Sequence, residues 1–358
     1  MESNWKEKIS TPALVVDYDL MQKNIRTMAK FARDQNIDLR PHVKTHKCPK
    51  IAKMMLDSGA SGICVAKVGE AEIFAKAGLN DILIANQVID LGQIKRLIEL
   101  NKNSLVRVCV DSEKNVRELN KAALKEKITL EVVLEVDVGL GRNGVQPGQP
   151  ALDFAKILKN QENLNLVGLQ GYEGHLISIV DPEIRKQQAH DCMQLLVDTR
   201  DILVDNGFDI QYLTGGNTAT YRFTGTHKGI TEIQPGTYVF SDEHLQRVNP
   251  IFKPAVTVLS TIQNQTGKKE FTIDAGTKAI PIGDGKPIVK NFPKIKFRVM
   301  NEEHTQLKAL GAEFEIGQKI ELIPAHVCIT INVYDYIHVI KNNEYIGRWE
   351  ILARGKNY

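Results

Sequence analysis

The sequence predicts an α/β protein in which a (β/α)8 TIM barrel is followed by a mostly antiparallel β domain. Three observations support this prediction. Between Leu20 and Phe240, short apolar segments rich in β-branched residues alternate with polar, amphipathic stretches. After Asn249 the amphipathic stretches end, and strand-like segments follow one another through turns. A doubly wound open sheet is the alternative fold, but the G-x-G-x-x-G motif that would favour it does not follow the first strand.

The barrel elements begin with a helix, because Met21, Ile25 and Met28 recur at helical spacing and Asp17 or Asp19 can cap it. The predicted barrel strands are Ile37–Lys44, Gly62–Ala66, Asp81–Ala85, Leu105–Asp111, Leu130–Val136, Leu166–Gly171, Ile210–Thr214 and Thr231–Gln234. The predicted helices between them include Gly69–Ala77, Leu91–Asn101, Glu113–Lys125 and Pro182–Asn206. Parallel strands need crossover helices, and eight such units close into a barrel.

The β domain is predicted without a helix of useful length. Its predicted strands are Val256–Gln263, Lys269–Ile273, Lys294–Met300, Gln306–Leu310, Gln318–Ile323, Val327–Tyr334 and Tyr336–Lys341. Asp284–Gly285 and Asn342–Asn343 are turn signals, and the N-terminal strand Ala13–Asp17 can pair with this domain. The domains are therefore predicted as residues 18–248 for the barrel, and residues 1–17 with 249–358 for the β domain.

Composition excludes several classes of protein. The chain has 358 residues, enough for two domains, and its 46 basic against 43 acidic residues leave a charge of +3. Such a balance gives no electrostatic reason to expect nucleic acid or a membrane surface as partner. There is no uncharged apolar run of about 18 residues, and MESNWKEKIS lacks the apolar core of a secretory signal. The five scattered cysteines suit a reducing compartment, so a cytoplasmic enzyme is predicted.

A lysine-bearing motif, Arg40–Lys47 (RPHVKTHK), ends the first predicted barrel strand. Strand alternation places Arg40, His42 and Lys44 on one face, looking into the barrel mouth. Because barrel active sites occupy the carboxyl ends of the strands, Lys44 is a candidate catalytic residue. Partial burial and the neighbouring charge of Arg40 would suppress its ammonium charge and let its amine form a Schiff base. The simpler alternative is that Lys44 and Lys47 begin a solvated helix.

Two glycine-rich turns follow the last two barrel strands, Thr214–Thr218 (TGGNT) and Gln234–Tyr238 (QPGTY). Glycines let backbone N–H groups approach an anion, and this fold commonly holds a phosphate after strands seven and eight. Either turn alone is a weak signal. Together with Lys44 they suit a carbonyl cofactor that carries a phosphate, for which pyridoxal phosphate is the obvious candidate.

Several motifs, in order along the chain, resemble those of the D-threonine aldolase/D-serine dehydratase family. They are Thr11–Asp17 (TPALVVD), Arg40–Thr45 (RPHVKT), Asp137–Val145 (DVGLGRNGV), Gly168–His175 (GLQGYEGH), the two glycine turns, Asp274–Ala279 (DAGTKA) and Pro324–Thr330 (PAHVCIT). The resemblance runs from about Thr11 to Gly355. It implies the alanine-racemase-like, fold-type III architecture of pyridoxal-phosphate enzymes.

The resemblance assigns cofactor-binding roles to several residues. Lys44 matches the lysine that binds pyridoxal phosphate, and Arg142 matches an arginine beside the phenolic oxygen of the cofactor. Tyr172 matches an aromatic residue close to the cofactor; otherwise a tyrosine at a strand end is more often packing. The residues in the implied phosphate-binding turns are Thr214, Gly215, Gly216, Asn217, Gly236, Thr237 and Tyr238. Without the resemblance, the glycines around Arg142 would favour an ordinary surface loop.

His326 and Cys328 match the divalent-metal pair of the family's C-terminal domain. At spacing i, i+2 in a strand, both side chains would leave the same face and reach one ion. A buried cysteine beside a satisfied histidine is the simpler alternative. The thiolate favours zinc over manganese or magnesium.

The implied reaction is a lyase reaction on a D-3-hydroxy amino acid. In the aldolase, D-threonine or D-allothreonine would give glycine and acetaldehyde, with metal-bound water, His175 or His46 accepting the hydroxyl proton. In the dehydratase, Lys44 would remove the Cα proton, and D-serine would give pyruvate and ammonia; D-3-hydroxyaspartate is an alternative substrate. Cys328 resembles the dehydratases, whereas Ile329–Asp335 and the closing Trp349–Gly355 resemble the bacterial aldolases, which we favour narrowly.

Two other functions and an assembly are considered. A non-catalytic pyridoxal-phosphate carrier would match the barrel alone and leave His326 and Cys328 unexplained. An amino-acid racemase would need a second base, for which Tyr334 and Tyr336 are available, but it gives the metal pair no role. The architecture also implies a head-to-tail homodimer.

Overall fold

The computed structural model describes residues 5–283 and 285–358, so Asp284, part of a predicted turn, lies outside the described residues. The strands are β1 (Ala13–Asp17), β2 (Asp38–Leu39), β3 (Ile63–Val65), β4 (Asp81–Gln87), β5 (Leu105–Val110), β6 (Leu130–Glu135), β7 (Leu164–Gly171), β8 (Tyr212–Gly215), β9 (Glu232–Ile233), β10 (Val256–Gly267), β11 (Glu270–Ile273), β12 (Ile288–Val289), β13 (Lys296–Met300), β14 (Thr305–Lys308), β15 (Lys319–Ile323), β16 (Tyr336–Lys341) and β17 (Glu344–Glu350). The helices are α1 (Tyr18–Gln35), α2 (Pro49–Asp57), α3 (Val68–Lys76), α4 (Leu91–Asn101), α5 (Glu113–Glu126), α6 (Gln149–Lys159), α7 (Pro182–Asp205), α8 (Tyr221–Thr224), α9 (Glu243–Val248) and α10 (Val327–Ile331). Short 3₁₀ helices cover Trp5–Lys8, Val43–Thr45, Gly174–Ser178 and Thr237–Val239.

The chain divides into two compact units. The first, called the barrel unit, comprises residues 28–44, 51–236 and 356–358. The second, called the β unit, comprises the described residues up to Thr27, residues 45–50 and residues 237–355. Residues 18–27, 45–50 and 237–248, which lie within the predicted barrel range, thus fall in the β unit, whereas residues 356–358, predicted for the β domain, fall in the barrel unit.

The barrel unit contains a parallel sheet in the order β2-β9-β8-β7-β6-β5-β4-β3. Neighbouring strands are parallel throughout. A parallel bridge between His42 and Cys64 joins the segments that continue the two edge strands, so the sheet curls into a TIM-like barrel. The predicted barrel is confirmed, and each of its predicted strands has a counterpart among the described residues.

The barrel interior is layered along the strands. At the amino ends, Arg107 binds Asp81 and Glu131, each at 2.7 Å. Above this charged layer lies an apolar cluster of Leu83, Cys109, Val133 and Val167. Burying each such side chain contributes about 1.5–3 kcal/mol, so this layer anchors the walls below the carboxyl ends of the strands.

Helix boundaries follow local capping chemistry. The Asp17 carboxylate accepts the Leu20 N–H at 3.0 Å, which confirms one of the two predicted caps of α1. Asp90 and Asp181 cap α4 and α7 in the same way. A carboxylate at the N-cap satisfies backbone donors that have no partner inside the helix.

The β unit contains a mostly antiparallel sheet with the main order β13-β14-β11-β10-β1-β16-β17; β15 pairs with both β10 and β12. As predicted, β1 joins this sheet, antiparallel to β10 and parallel to β16. The predicted turn at Asn342–Asn343 is confirmed, with φ of 50° and 60°. The short strand β12 and the terminal hairpin strand β17 were not predicted.

One predicted strand of the β unit is wrong. Val327–Tyr334 was expected to be extended because it is apolar and β-branched, but Val327–Ile331 is helical. The Val327 N–H donates to the Asp242 carboxylate at 3.1 Å, a long-range contact that caps the start of α10.

Among the described residues, no helix is both long and apolar enough to cross a bilayer.

Candidate active site

A cavity of about 210 Å³ opens at the carboxyl ends of the barrel strands. The residues that line it are His42, Lys44, Ala66, Ala85, Asn86, Arg142, Asn143, Gln170, Tyr172, Gly216 and Gln234. They lie near the ends of β2, β3, β4, β7, β8 and β9 and on the loop after β6. None of these described lining residues is acidic, so the cavity favours an anionic or polar guest. Active sites in barrel enzymes lie at this end of the strands.

Lys44 reaches the cavity from the 3₁₀ turn Val43–Thr45, whereas the sequence predicted a strand through this residue. The extended strand is short because Pro41 has no N–H to give to a ladder. His42 then bridges to Cys64 on the neighbouring segment. The Lys44 side chain is half-buried and lines the cavity wall.

Arg40 does not reach the cavity that Lys44 lines. Its guanidinium binds Glu232 at 2.8 Å and Asp81, the first residue of β4, at 2.7 Å. Burial alone would lower the pKa of Arg40, but the two carboxylates outweigh burial and raise it. The charge of Arg40 is therefore balanced at the amino end of the barrel, and the expected suppression of the Lys44 charge by Arg40 is not supported.

Arg142 stands on a glycine-rich loop after β6 whose shape is fixed by one carboxylate. Asp137 accepts the N–H groups of Gly139 and Gly141, each at 3.0 Å. These glycines adopt φ of 116° and 67°, which side chains with a Cβ rarely adopt. The loop holds the Arg142 guanidinium 5.4 Å from the centre of the Tyr172 ring, within cation–π range.

Glu135, at the end of β6, forms an ion pair with Arg142 and is not among the residues that line the cavity. Its carboxylate is 4.0 Å from the Arg142 guanidinium and accepts the Gln87 amide at 2.6 Å. Gln87 in turn accepts from the Asn143 amide at 2.7 Å. Burial raises the pKa of Glu135, although the Gln87 hydrogen bond and the Arg142 charge act in the opposite direction.

The first glycine turn is locked by hydrogen bonds within the protein. Gly216 has φ of 83° and lines the cavity, while its N–H donates to Glu173 at 3.1 Å. The Asn217 N–H donates to the Thr220 hydroxyl at 3.1 Å. A Cβ at Gly215 would lie 2.4 Å from the carbonyl oxygen of Gly171, the last residue of β7, so only glycine fits there. Of the predicted residues in this turn, Gly216 lines the cavity, and the N–H groups of Gly216 and Asn217 are already engaged within the protein.

The second turn contributes Gln234 to the cavity. Its amide donates to Gln170 at 3.0 Å and to the Thr214 hydroxyl at 2.8 Å. Thr214, a predicted cofactor-binding residue, is buried and donates its own hydroxyl to Glu232 at 2.8 Å. Thr214 therefore supports the floor of the cavity and is not itself a lining residue.

The remaining predicted turn residues divide between the two units. Gly236 is half-buried at the end of the barrel unit. Thr237 and Tyr238 belong to the β unit, within the 3₁₀ helix Thr237–Val239. Tyr238 is fully buried with its ring centre 5.8 Å from that of Phe252, and burial raises the pKa of its hydroxyl.

The two predicted catalytic histidines have different surroundings. His175 is exposed in the barrel unit, and its Nε2 lies 3.9 Å from the Cys192 thiol. His46 is buried in the β unit, where its Nδ1 accepts the Cys48 N–H at 3.1 Å. Burial lowers the pKa of His46 to about 3, so its imidazole is neutral at physiological pH and a weak proton acceptor.

The predicted metal pair lies in the β unit, but its expected strand geometry is wrong. His326 is the N-cap of α10 and Cys328 falls in its first turn, so strand alternation does not bring their side chains together. The Cys328 thiol lies 3.4 Å from the Thr45 hydroxyl. Across residues 5–283 and 285–358, no group of three or more His, Cys, Asp and Glu side chains is arranged around a common ion position.

Several polar residues around the cavity were missed by the sequence analysis: Asn86, Glu135, Gln170, Glu173 and Gln234. The available signal was a polar residue within an apolar strand. Glu135 ends the strand LEVVLE, and Gln170 interrupts the strand LNLVGLQG. Burying such groups is costly unless they are hydrogen-bonded, which points to a specific role.

The donors present fit pyridoxal phosphate. A half-buried primary amine, a guanidinium and an aromatic ring line one cavity with a glycine turn, and no acidic residue is among the described lining residues. For a metal, His326 and Cys328 offer nitrogen and sulfur, which suit zinc. These two residues provide two protein donors, which would leave positions on the ion for water, as an open catalytic site requires.

Comparison with protein families agrees with this architecture. The family model described as "Alanine racemase, N-terminal domain" matches residues 16–244. A second model, described as "Putative serine dehydratase domain", matches residues 255–340.

Curated relatives and solved structures extend the similarity over nearly the whole chain. D-threonine aldolase from an Arthrobacter species is 32% identical, covering 97% of this chain and 93% of its own. The 3-hydroxy-D-aspartate aldolase of Paracoccus denitrificans is 30% identical, covering 99% of this chain and 94% of its own. The crystal structure of D-threonine aldolase from Filomicrobium marinum has a TM-score of 0.95 at 32% identity, covering 98% of this chain and 97% of that one.

Dehydratases are also among the similar proteins. They include D-serine dehydratase from Dictyostelium discoideum, 24% identical over 94% of this chain and 95% of its own. A variant of D-threo-3-hydroxyaspartate dehydratase in the metal-free form has a TM-score of 0.90 at 26% identity, covering 98% of this chain and 99% of that one. The predicted resemblance to aldolases and dehydratases is confirmed.

Proposed function

The chain belongs to the alanine racemase N-terminal domain family, and from this premise we propose that it is a pyridoxal-phosphate-dependent lyase that cleaves a D-3-hydroxy amino acid. The proposed reaction converts D-threonine or D-allothreonine to glycine and acetaldehyde. One observation carries the proposal: Lys44, Arg142, Tyr172 and Gly216 line a single cavity at the carboxyl ends of the barrel strands. The names of two relatives that are 30% and 32% identical to this chain support the choice of cleavage over other reactions.

Four features of the barrel unit would hold the cofactor. Lys44 would hold its aldehyde carbon through Nζ, and Arg142 would place a positive charge beside its ring. Tyr172 would pack against it while fixing Arg142 by the cation–π contact. The turn at Gly216 would receive its phosphate.

When bound, the pyridoxal ring withdraws the electron pair that the broken bond leaves on Cα. The chain's own residues would orient the substrate and move protons. Lys44 can hold a proton at Nζ close to the reacting carbon. Asn86 and Gln170 offer amide hydrogen bonds to the substrate carboxylate. His175 is the proposed acceptor of the hydroxyl proton, because the low pKa of His46 makes His46 unsuitable.

A divalent ion held by His326 and Cys328 would lower the pKa of the substrate hydroxyl. Zinc is the proposed ion because one donor is a thiolate, with manganese or magnesium as alternatives.

Dehydration of D-serine or D-3-hydroxyaspartate is the second candidate. It is favoured by the presence of dehydratases among the relatives. In that reaction Lys44 would take the Cα proton, and the products would be a 2-oxo acid and ammonia. Both reactions use the same lining residues, and the orientation of the substrate decides which of its bonds breaks.

A racemase is disfavoured by the surroundings of the two tyrosines that are available as its second base. The Tyr334 hydroxyl donates to the Ala279 carbonyl at 2.7 Å, and burial raises its pKa. Tyr336 lies under the Arg348 guanidinium, 4.1 Å from its ring centre. A pyridoxal-phosphate carrier is disfavoured because the similarity to aldolases extends over the whole chain.

The test incubates the purified protein with pyridoxal phosphate and zinc or manganese, and offers D-threonine, D-3-hydroxyaspartate and D-serine separately. Equal amounts of glycine and an aldehyde support the aldolase: acetaldehyde from D-threonine, or glyoxylate from D-3-hydroxyaspartate. A 2-oxo acid with ammonia selects the dehydratase. Cofactor binding without turnover of any of the three substrates would overturn both.

A further inference from the structure

Glu173 is a fully buried carboxylate directly after β7, with 0% of its surface exposed. Its Oε1 accepts the hydroxyls of Thr220 and Thr224 at 2.6 and 2.7 Å. Its Oε2 accepts the Gly216 N–H at 3.1 Å. The described contacts of this carboxylate are therefore with neutral donors, all from one short segment of chain.

Burying a carboxylate is costly unless hydrogen bonds replace its hydration. The segment from Gly216 to Thr224 provides that replacement, so its conformation is coupled to Glu173. The coupling is reinforced by the Asn217 amide, which donates to the Glu173 backbone carbonyl at 3.3 Å. Moving the turn would leave this buried carboxylate without its hydrogen-bond partners, a larger penalty than the loss of the same bonds at an exposed group.

The coupling also determines which groups of the turn face the cavity. Gly216 lines the cavity while its N–H points to Glu173, so Glu173 fixes the peptide plane on which the cavity wall depends. Glycine adopts positive and negative φ at similar steric cost, so the hydrogen bond to Glu173 helps to select the φ of 83° that Gly216 has here.

We infer that Glu173 is a positioning residue for a phosphate site: through Gly216, Thr220 and Thr224 it holds the turn after β8 in the shape that receives a phosphate monoester. This inference rests on the proposed function, because the phosphate is that of the cofactor. Glu173 itself does not touch the ligand; it acts through the turn.

The experiment compares the affinity of the apoprotein for pyridoxal phosphate with that for pyridoxal, measured by fluorescence titration. The ratio of the two dissociation constants isolates the contribution of the phosphate, because both ligands offer the same aldehyde to Lys44. In the Glu173→Ala variant, we expect binding of pyridoxal phosphate to weaken at least tenfold, with pyridoxal binding unchanged.

The conservative variant Glu173→Gln should restore most of the ratio. Its amide oxygen can accept the Gly216 N–H, and its amide nitrogen can donate to the threonine hydroxyls, which rotate freely. If Glu173→Ala does not fold, Thr224→Val removes one donor to the carboxylate and should reduce the ratio by a smaller factor. Thermal melting checks the fold of every variant.

The outcomes separate the two claims. A wild-type protein that does not bind pyridoxal phosphate overturns the proposed function and this inference with it. A wild-type protein that prefers pyridoxal phosphate, together with a Glu173→Ala variant of unchanged ratio, overturns the inference alone. Equal weakening of both ligands assigns Glu173 to general stability and also overturns it.

Discussion

The Arg142 guanidinium lies 5.4 Å from the centre of the Tyr172 ring, and both side chains open onto the cavity that Lys44 lines. Arg142 is half exposed, and Glu135, its partner in the ion pair, is 4.0 Å away. The aromatic face is therefore an important restraint on the direction of the guanidinium.

Replacing Tyr172 with leucine should weaken cofactor binding about fivefold, since a cation–π contact contributes about 1 kcal/mol. Tyr172→Phe is the matched control, because it keeps the ring and should remain within about twofold of wild type. Titration of the apoprotein with pyridoxal phosphate measures both. Equal affinities in the leucine and phenylalanine variants would contradict the role of the ring face.

Lys44→Ala should abolish covalent capture of the cofactor, because it removes the cavity-lining amine. The measurement is borohydride reduction followed by peptide mass mapping, which should find the adduct on Lys44 in the wild type. Lys50→Ala, a change of an exposed lysine nearby in sequence, should leave that adduct unaltered. An adduct on another residue in the wild type would remove Lys44 from its assigned role.

His326→Ala and Cys328→Ser should each reduce zinc affinity by roughly tenfold or more and eliminate metal-stimulated turnover. Capture of pyridoxal phosphate should persist, because Lys44 and Arg142 remain. Zinc content after dialysis, together with turnover before and after chelation, provides the measurement. His304→Gln, a change of an exposed histidine in the same unit, is the control. Variants that retain full zinc content would discount the pair as metal ligands.

His46 should make the protein sensitive to acid. Burial lowers its pKa in the folded state to about 3, whereas its ordinary value is 6.5, so the unfolded chain binds an extra proton between these values. Stability should therefore fall as the pH drops from about 6.5 towards 3, by about 1.4 kcal/mol per pH unit from this residue.

Denaturant unfolding of wild type and His46→Gln across that pH window measures this contribution. Glutamine can still accept the Cys48 N–H, and the slope of stability against pH should be less steep in this variant. His304→Gln should keep the wild-type slope. Parallel slopes for wild type and His46→Gln would refute the assignment.

The barrel was predictable because its signals are local. Each strand is a short β-branched segment, and Asp90 or Asp181 directly precedes the helix that it caps. The position of Lys44 was predicted correctly at the rim, although Pro41 ends the strand earlier than the pattern suggested.

What the sequence could not predict depends on long-range contacts. Val327–Ile331 has strand-like composition, yet its first N–H is capped by Asp242 from a distant segment. Arg40 is held at the amino end of the barrel, outside the cavity, because Glu232 and Asp81 bind it, and neither partner is apparent from the local motif. The role of Glu173 was likewise not predicted, because its partners Thr220 and Thr224 lie in a distant segment, although the neighbouring Tyr172 and His175 were predicted as site residues.

The strand β1 lies between β10 and β16 in its sheet, although the segment that separates it from β10 along the chain includes all the strands of the parallel sheet. During synthesis, the apolar residues Leu14, Val15 and Val16 leave the ribosome long before either neighbour exists. The central part of this sheet therefore cannot form until the residues up to β16 have emerged, and until then the apolar residues of β1 can be bound by chaperones or by other nascent chains.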